Sequence, residues 1–200
     1  MKFEKYRMLF SRIAVIIFLF FFITSNNYWE NNNEYINFSL FTIGIILVAI
    51  ASLGRMWCSI YIAGYKDDKL IMEGPYSISR NPLYFFSAIG LIGLGCVTET
   101  FTFPIFFIIL FSMYYPYVIK SEEKRLKKLF GSYFDEYFKT VPAFFPNFSI
   151  FSEPKTYNVN PIVYRQHIFS ALWFIWTVGI IEFIEGIKEI GLISPLWQIY

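Results

Sequence analysis

The sequence predicts an all-α integral membrane bundle of about five helices with a cofactor pocket on the cytoplasmic side. Three observations carry the bundle and its sidedness. The 200 residues are 56% hydrophobic and 22% aromatic, and only 16% carry charge, too few for an ordinary soluble domain. The mean hydropathy is +0.47, and several apolar runs approach the roughly 20 residues of helix needed to cross a bilayer. The Lys and Arg residues gather in three segments that fall on one side for a five-helix count: the N-terminus, the connection before Pro82 and the stretch after Lys120. By the positive-inside rule that side faces the cytoplasm.

Each element follows in order. A first helix covers about Met8 to Thr24, behind Lys2, Lys5, Arg7 and Arg12. A basic start and short apolar core also describe a signal peptide, but FITSNN offers no small-x-small cleavage site, so a retained helix is expected. A second helix runs from about Phe38 to Ala63, long enough to emerge or tilt. A third opens at Pro82 and ends near Val97, short for a spanning helix. The turn TET and a fourth helix from about Pro104 complete a tight hairpin. Pro116 removes one ladder bond and should kink that helix. The stretch SEEKRLKKLFGSYFDEYFK is amphipathic, with Leu126, Leu129, Tyr133 and Tyr137 at helical spacing and a possible break at Gly131. VPAFFPNF turns the chain, residues 149–166 read as a surface connection, and a last helix starts near Ile168. From Ile180 it carries Glu182, Glu185, Lys188 and Glu189 on one side.

Composition also excludes. Cys58 and Cys96 sit in or beside apolar helices without ligand spacing, and His167 is the only histidine; no metal site is expected. No basic run with interleaved aromatics suits nucleic acid. Gly90, Gly93 and Gly95 lie inside an apolar helix with no preceding strand, so they serve helix packing rather than nucleotide binding.

Chemistry concentrates in the polar segment GPYSISRNPLY, residues 74–84. Asn81 and Pro82 are a favoured helix cap and first helical residue. A helix N-terminus with Arg80 beside it suits an anion. Glu122 and Glu123, just past the fourth helix on the same side, suit a cationic amine or ribose hydroxyls. The bland alternatives are an interfacial Arg80 that snorkels to headgroups and a solvated Glu123 paired to Lys127. Arg55, near the cytoplasmic end of the second helix, either snorkels or lines the site. Tyr76, Tyr84, Tyr133 and Tyr137 suit an interface belt or a stacking platform.

The blocks GPYSISRNPLY and KSEEKRLKKLFGSYFDEYFKTVPAFFP together resemble the isoprenylcysteine carboxyl methyltransferase and phospholipid methyltransferase superfamily. The resemblance covers about residues 40–148, the expected methyltransferase core of one 1–200 membrane domain. Residues 1–39 and 149–200 lie outside it. It implies a membrane enzyme that draws S-adenosylmethionine from the cytosol and a lipidic or lipidated substrate from the bilayer. Carried over, Arg80, Asn81, Pro82 and Tyr84 form a first cofactor block, and Glu122, Glu123, Tyr133 and Tyr137 a second. Arg80, Asn81 and Tyr84, with Arg55, are the candidate catalytic group. Many relatives have His where Asn81 stands and a basic residue where Ala143 stands, which bears on any imidazole role and on substrate-anion binding. A carboxylate acceptor needs no general base and an amine does, which favours carboxyl O-methylation over phospholipid or amine N-methylation. The rival class is a membrane scaffold or a lipid- or quinone-binding protein.

Overall fold

In the computed structural model the described residues are 2–65 and 68–200. Lys66 and Asp67 lie outside them, as do the side chains of Lys2, Lys5 and Arg7, so part of the charge pattern lies there too. Among the described residues five helices are long: α1 (Lys2–Thr24), α3 (Glu34–Ile62), α5 (Pro82–Val97), α6 (Thr102–Phe130) and α8 (Pro161–Glu189). Three short ones, α2 (Trp29–Asn32), α4 (Pro75–Ile78) and α7 (Ser132–Thr140), lie in the connections. α3, α6 and α8 are each long and apolar enough to cross a membrane; α1 and α5 contribute shorter apolar stretches.

Several starts differ from the sequence expectation, and caps explain two of them. α3 begins before Phe38 because the Asn33 side chain accepts from the Ile36 N–H at 3.3 Å. α8 begins at Pro161 rather than Ile168 because the Asn160 side chain accepts from the N–H groups of Ile162 and Val163 at 3.1 and 3.2 Å. Its first turns are polar, which hides them from a search for apolar runs. α6 is continuous through Pro116, whose missing N–H costs a single ladder bond. Gly131, with φ of 55°, then ends α6 and redirects the chain into α7. The expected stripe is not one face: Leu126 and Tyr137 pack with Phe130 and Phe134, whereas Leu129 of α6 turns outward and Tyr133, past the break, does too.

α3 and α5 form the central crossing, joined by α6 against α5 and α8 against α3. The crossing is close because small residues meet: a Cβ on Gly44 would press the Val97 backbone N and the Gly93 carbonyl. The core combines Phe18 and Phe22 of α1, Val48 of α3, Leu94 and Val97 of α5, Phe103 and Phe107 of α6, and Phe174 and Ile181 of α8. Outer faces stay apolar, with Ile16, Leu53, Ile109 and Trp176 all exposed, as lipid contact requires.

The bundle's two ends differ. At one end lie α4, α7 and the connection 141–160. At the other, short strands β1 (Ser25–Asn27) and β2 (Trp197–Ile199) pair in parallel, an element absent from the sequence expectation. The Leu196 N–H donates to Thr24 and the Thr102 N–H to Tyr200, at 2.7 and 2.8 Å.

Gly44→Ala should lower the thermal midpoint of the detergent-solubilised protein, through an overpacking cost of about 1–3 kcal/mol. Gly179→Ala, where the added methyl meets open space, should leave it unchanged or raise it slightly.

Candidate functional site

The site forms where the start of α5 meets the polar end of α6. Pro82 is buried at the first helical position. Asn81 occupies the cap position, but its side chain makes no cap bond; it donates instead to the Ala143 carbonyl at 2.9 Å. The N–H groups of Tyr84 and Phe85 both return to the Asn81 carbonyl, so fewer donors remain for an anion than an uncapped turn would offer.

The connection after α7 braces this turn from outside. Arg80 N–H donates to Pro142, Asn147 N–H to Ile78 and the Ser79 hydroxyl to Phe144, at 2.8, 2.9 and 3.0 Å. The VPAFFPNF segment thus fixes SISRN through its own backbone groups, meeting two backbone partners and the Ser79 hydroxyl.

Arg80 is the centre of the arrangement. Its Nε donates to Glu123 Oε1 at 2.9 Å, with only 8% and 16% of the two side chains exposed. One terminal nitrogen donates to the carbonyls of Phe138 and Val141, and the guanidinium lies 4.0 Å from the Phe138 ring centroid. One side chain therefore ties α5, α6 and α7 together. This decides against both bland alternatives: Arg80 does not snorkel, and Glu123 is held by Arg80 rather than Lys127. Lys127 pairs with Asp135 at 2.8 Å.

A cavity of about 350 Å³ opens beside this pair. Arg80, Asn81, Tyr84, Glu122 and Tyr137 of the two sequence blocks line it. So do Tyr65, Lys69, Tyr76, Arg125 and His167, with Ile62, Leu70, Leu83 and Leu126 as apolar wall. Glu122 ion-pairs with Arg125 one turn on. The Tyr137 hydroxyl donates to the Tyr76 carbonyl at 2.7 Å, and Tyr84 meets Tyr115 edge to face. Four expected members do not line it: Pro82 is buried in the turn, Glu123 is taken up by Arg80, and Tyr133 and Arg55 lie elsewhere. Tyr133 is 74% exposed on the outer side of α7 because Gly131 rotates it away, and Arg55 lies deeper, among α3, α5 and α8. His167 was the reverse: outside the resembling blocks, yet brought to the wall by α8. Its only sequence signal is that it is the single histidine.

Burial raises the Tyr76 phenol well above its ordinary value, the Arg55 charge opposing it, and raises Tyr137 as well, the Arg80 charge opposing that shift. Both rings are therefore neutral hydrogen-bonding walls, not bases. The cavity thus offers cations, a carboxylate, neutral phenols and apolar surface within a volume typical of small-molecule sites. That donor set fits S-adenosylmethionine, which carries an ammonium, a carboxylate, a ribose and an adenine ring.

A second cavity, of about 450 Å³, lies at the β1/β2 end. The acidic side of α8 faces it: Glu182, Glu185 and Glu189 line it with Glu30 and Glu99. Lys188 reaches the Ser25 carbonyl at 3.0 Å, and the Asn27 amide donates to Glu99 at 3.3 Å. Among the described residues no group of three or more His, Cys, Asp or Glu side chains is arranged to hold a metal ion.

Glu123→Ala should leave the Arg80 charge buried without its carboxylate and cost about 3–5 kcal/mol, read as a lower thermal midpoint in detergent. Tyrosinate absorbance should show Tyr76 and Tyr137 still protonated past about pH 10, where a free tyrosine is half ionised. Because their folded-state values lie above the unfolded one, their contribution to stability is complete below about pH 10 and declines as pH rises further.

No solved structure matches the chain. It is 34% identical over 181 residues to the nickel-cobalt-cadmium resistance protein NccN of Alcaligenes xylosoxydans xylosoxydans, covering 90% of this chain and 84% of that one. It is 33% identical over 157 residues to the cobalt-zinc-cadmium resistance protein CzcN of Cupriavidus metallidurans, covering 78% and 72%. Residues 33–133, from the Asn33 cap through Glu122, Glu123 and the Gly131 break, match the family described as phospholipid methyltransferase, and the chain belongs to that family.

Proposed function

We propose that the protein is an S-adenosylmethionine-dependent methyltransferase of the bacterial cytoplasmic membrane acting on a membrane-embedded lipidic acceptor. The observation that carries this is the cavity beside the buried Arg80–Glu123 pair, where both resembling blocks converge. On this reading all five long helices span the bilayer, and the cavity opens to the cytoplasm. S-adenosylmethionine supplies, when bound, a methyl already activated on a sulfonium.

The chain's own residues then bind, orient and exclude water. Glu122 holds the ligand's amine or ribose hydroxyls. Lys69 and Arg125 provide positive charge for its carboxylate. Tyr76 and Tyr84 offer faces and hydroxyls without carrying charge. Arg80 has a mainly organising role, because Glu123, two carbonyls and an aromatic face already engage it. α5 is only 16 residues long, about 24 Å of rise, and its short span leaves room for a lipid tail to approach from the side.

Carboxyl O-methylation of an isoprenylcysteine-type or other lipid acid is the favoured reaction, since a carboxylate gives up no proton. His167 on the cavity wall is the observation that keeps amine N-methylation as the second reading, because an imidazole there can take the proton an amine must lose. The metal-resistance names belong to the relatives; a link of this chain to metal tolerance would run through its methylated product.

Titration calorimetry of the detergent-solubilised chain should show S-adenosylmethionine binding, weakened at least about tenfold by Glu122→Gln. No binding to the unaltered protein would overturn the enzyme reading in favour of a scaffold. With a carboxylate acceptor, His167→Gln should change turnover by less than about threefold. With an amine acceptor it should cut turnover by about 10²-fold or more.

A further inference from the structure

Arg55 belongs to neither wall of the cavity, yet its position is not that of a headgroup anchor. An anchoring arginine extends toward the helix end and water. Arg55 instead turns into the seam among three helices. One terminal nitrogen donates to the Ser87 hydroxyl of α5. The other donates to the Ser170 hydroxyl of α8 at 3.0 Å. The guanidinium carbon lies 5.7 Å from the centroid of the buried Phe174 ring. Nε is enclosed and makes no hydrogen bond. None of the described carboxylates ion-pairs with it. A guanidinium at membrane depth is thus met only by neutral oxygens, a costly arrangement that marks function more often than structure.

Its depth relates it to the cavity. Ser87 lies one turn beyond Leu83, to whose carbonyl it donates at 2.7 Å, and Leu83 lines the cavity. Ser170 lies one turn beyond His167, which also lines it. Arg55 itself is about 10 Å of helix rise below Ile62, another lining residue. The cluster therefore sits roughly one helical turn, about 5 Å, nearer the bilayer centre than the cavity floor. It is not sealed from lipid: Ser170 is exposed, between exposed Phe169 and Trp173 on the outer face of α8.

We propose that Arg55, Ser87 and Ser170 form an intramembrane anion site that takes the acidic head of a single-chain lipid, a carboxylate or a phosphate monoester, entering between α3 and α8. The planar fork of arginine matches both groups, and the Ser170 hydroxyl can turn to donate once an anion takes over the guanidinium. Alkyl chain then runs along the apolar flank of α8. The site is a property of the described side chains alone. Its assignment as the seat of the methyl acceptor rests on the methyltransferase reading, and it places an acid within one turn of the cavity.

The test uses the full chain in phosphatidylcholine nanodiscs at about pH 8.5, where a lipid carboxylate is ionised. Oleic acid, methyl oleate and oleyl phosphate are compared by native mass spectrometry. The unaltered protein should hold the acid at least about tenfold tighter than its methyl ester. Arg55→Gln should reduce that preference to less than about threefold, and Arg55→Lys should keep much of it. Equal binding of acid and ester by the unaltered protein overturns the proposal without any variant, and so does a preference that survives Arg55→Gln. Oleyl phosphate binding more tightly than oleic acid assigns the site to a phosphate monoester; the reverse assigns it to a carboxylate. S-adenosylmethionine affinity is measured on the same preparation. Binding of that ligand without acid preference sinks this site alone, and acid preference without that ligand sinks the enzyme reading alone.

Discussion

The pairing of Arg80 with Glu123 is the constraint on which the site depends. Buried charges are stable only when geometry and further hydrogen bonds offset the loss of water. Here the pair is close, and one terminal guanidinium nitrogen meets two carbonyls at the end of α7. The start of α5, the polar end of α6 and the α7 turn are thereby fixed to one another. The cavity is the space left between them, so its shape follows from a bond rather than from a bound ligand.

That constraint also sorts the nearby residues by role. Glu123 is consumed by Arg80, which leaves the adjacent Glu122 directed at the cavity with Arg125 as partner. Two neighbouring carboxylates thus stand in different settings, one holding helices and one lining the cavity. The aromatic residues divide in the same way. Phe111, Tyr115 and Phe144 stack into a wall behind Tyr84, while Tyr76 and Tyr137 face inward as neutral phenols.

The helices, the opening of α5 at Pro82 and the meeting of Arg80 with an acidic residue of α6 were legible in the sequence, because apolar runs, a cap dipeptide and opposite charges leave direct marks. Which glutamate Arg80 would take was not legible, since adjacent acids differ only in the direction they leave the helix. Tyr133 was misassigned to the inner stripe because periodicity assumes an unbroken helix, and the left-handed turn at Gly131 resets the phase. His167 could not be placed from local signals, as its proximity comes from α8 packing on α3. The start of α8 was hidden by its polar first turns. The β1/β2 pair was invisible because each strand has only three residues and their pairing joins opposite ends of the chain.

That last pairing has a mechanical consequence. Residues 196–200 bind the end of α1, the β1 strand and the first turn of α6 through backbone bonds, so three helices are knotted together at that face. The opposite face is joined by the Arg80 side chain and by backbone bonds from the connection after α7. Helices tied at one extremity can part only at the other, as the legs of tongs do. Whatever widening the bundle undergoes to admit or release a molecule is therefore levered from the knotted face and is limited around Arg80 by the pair that clamps α5 to α6.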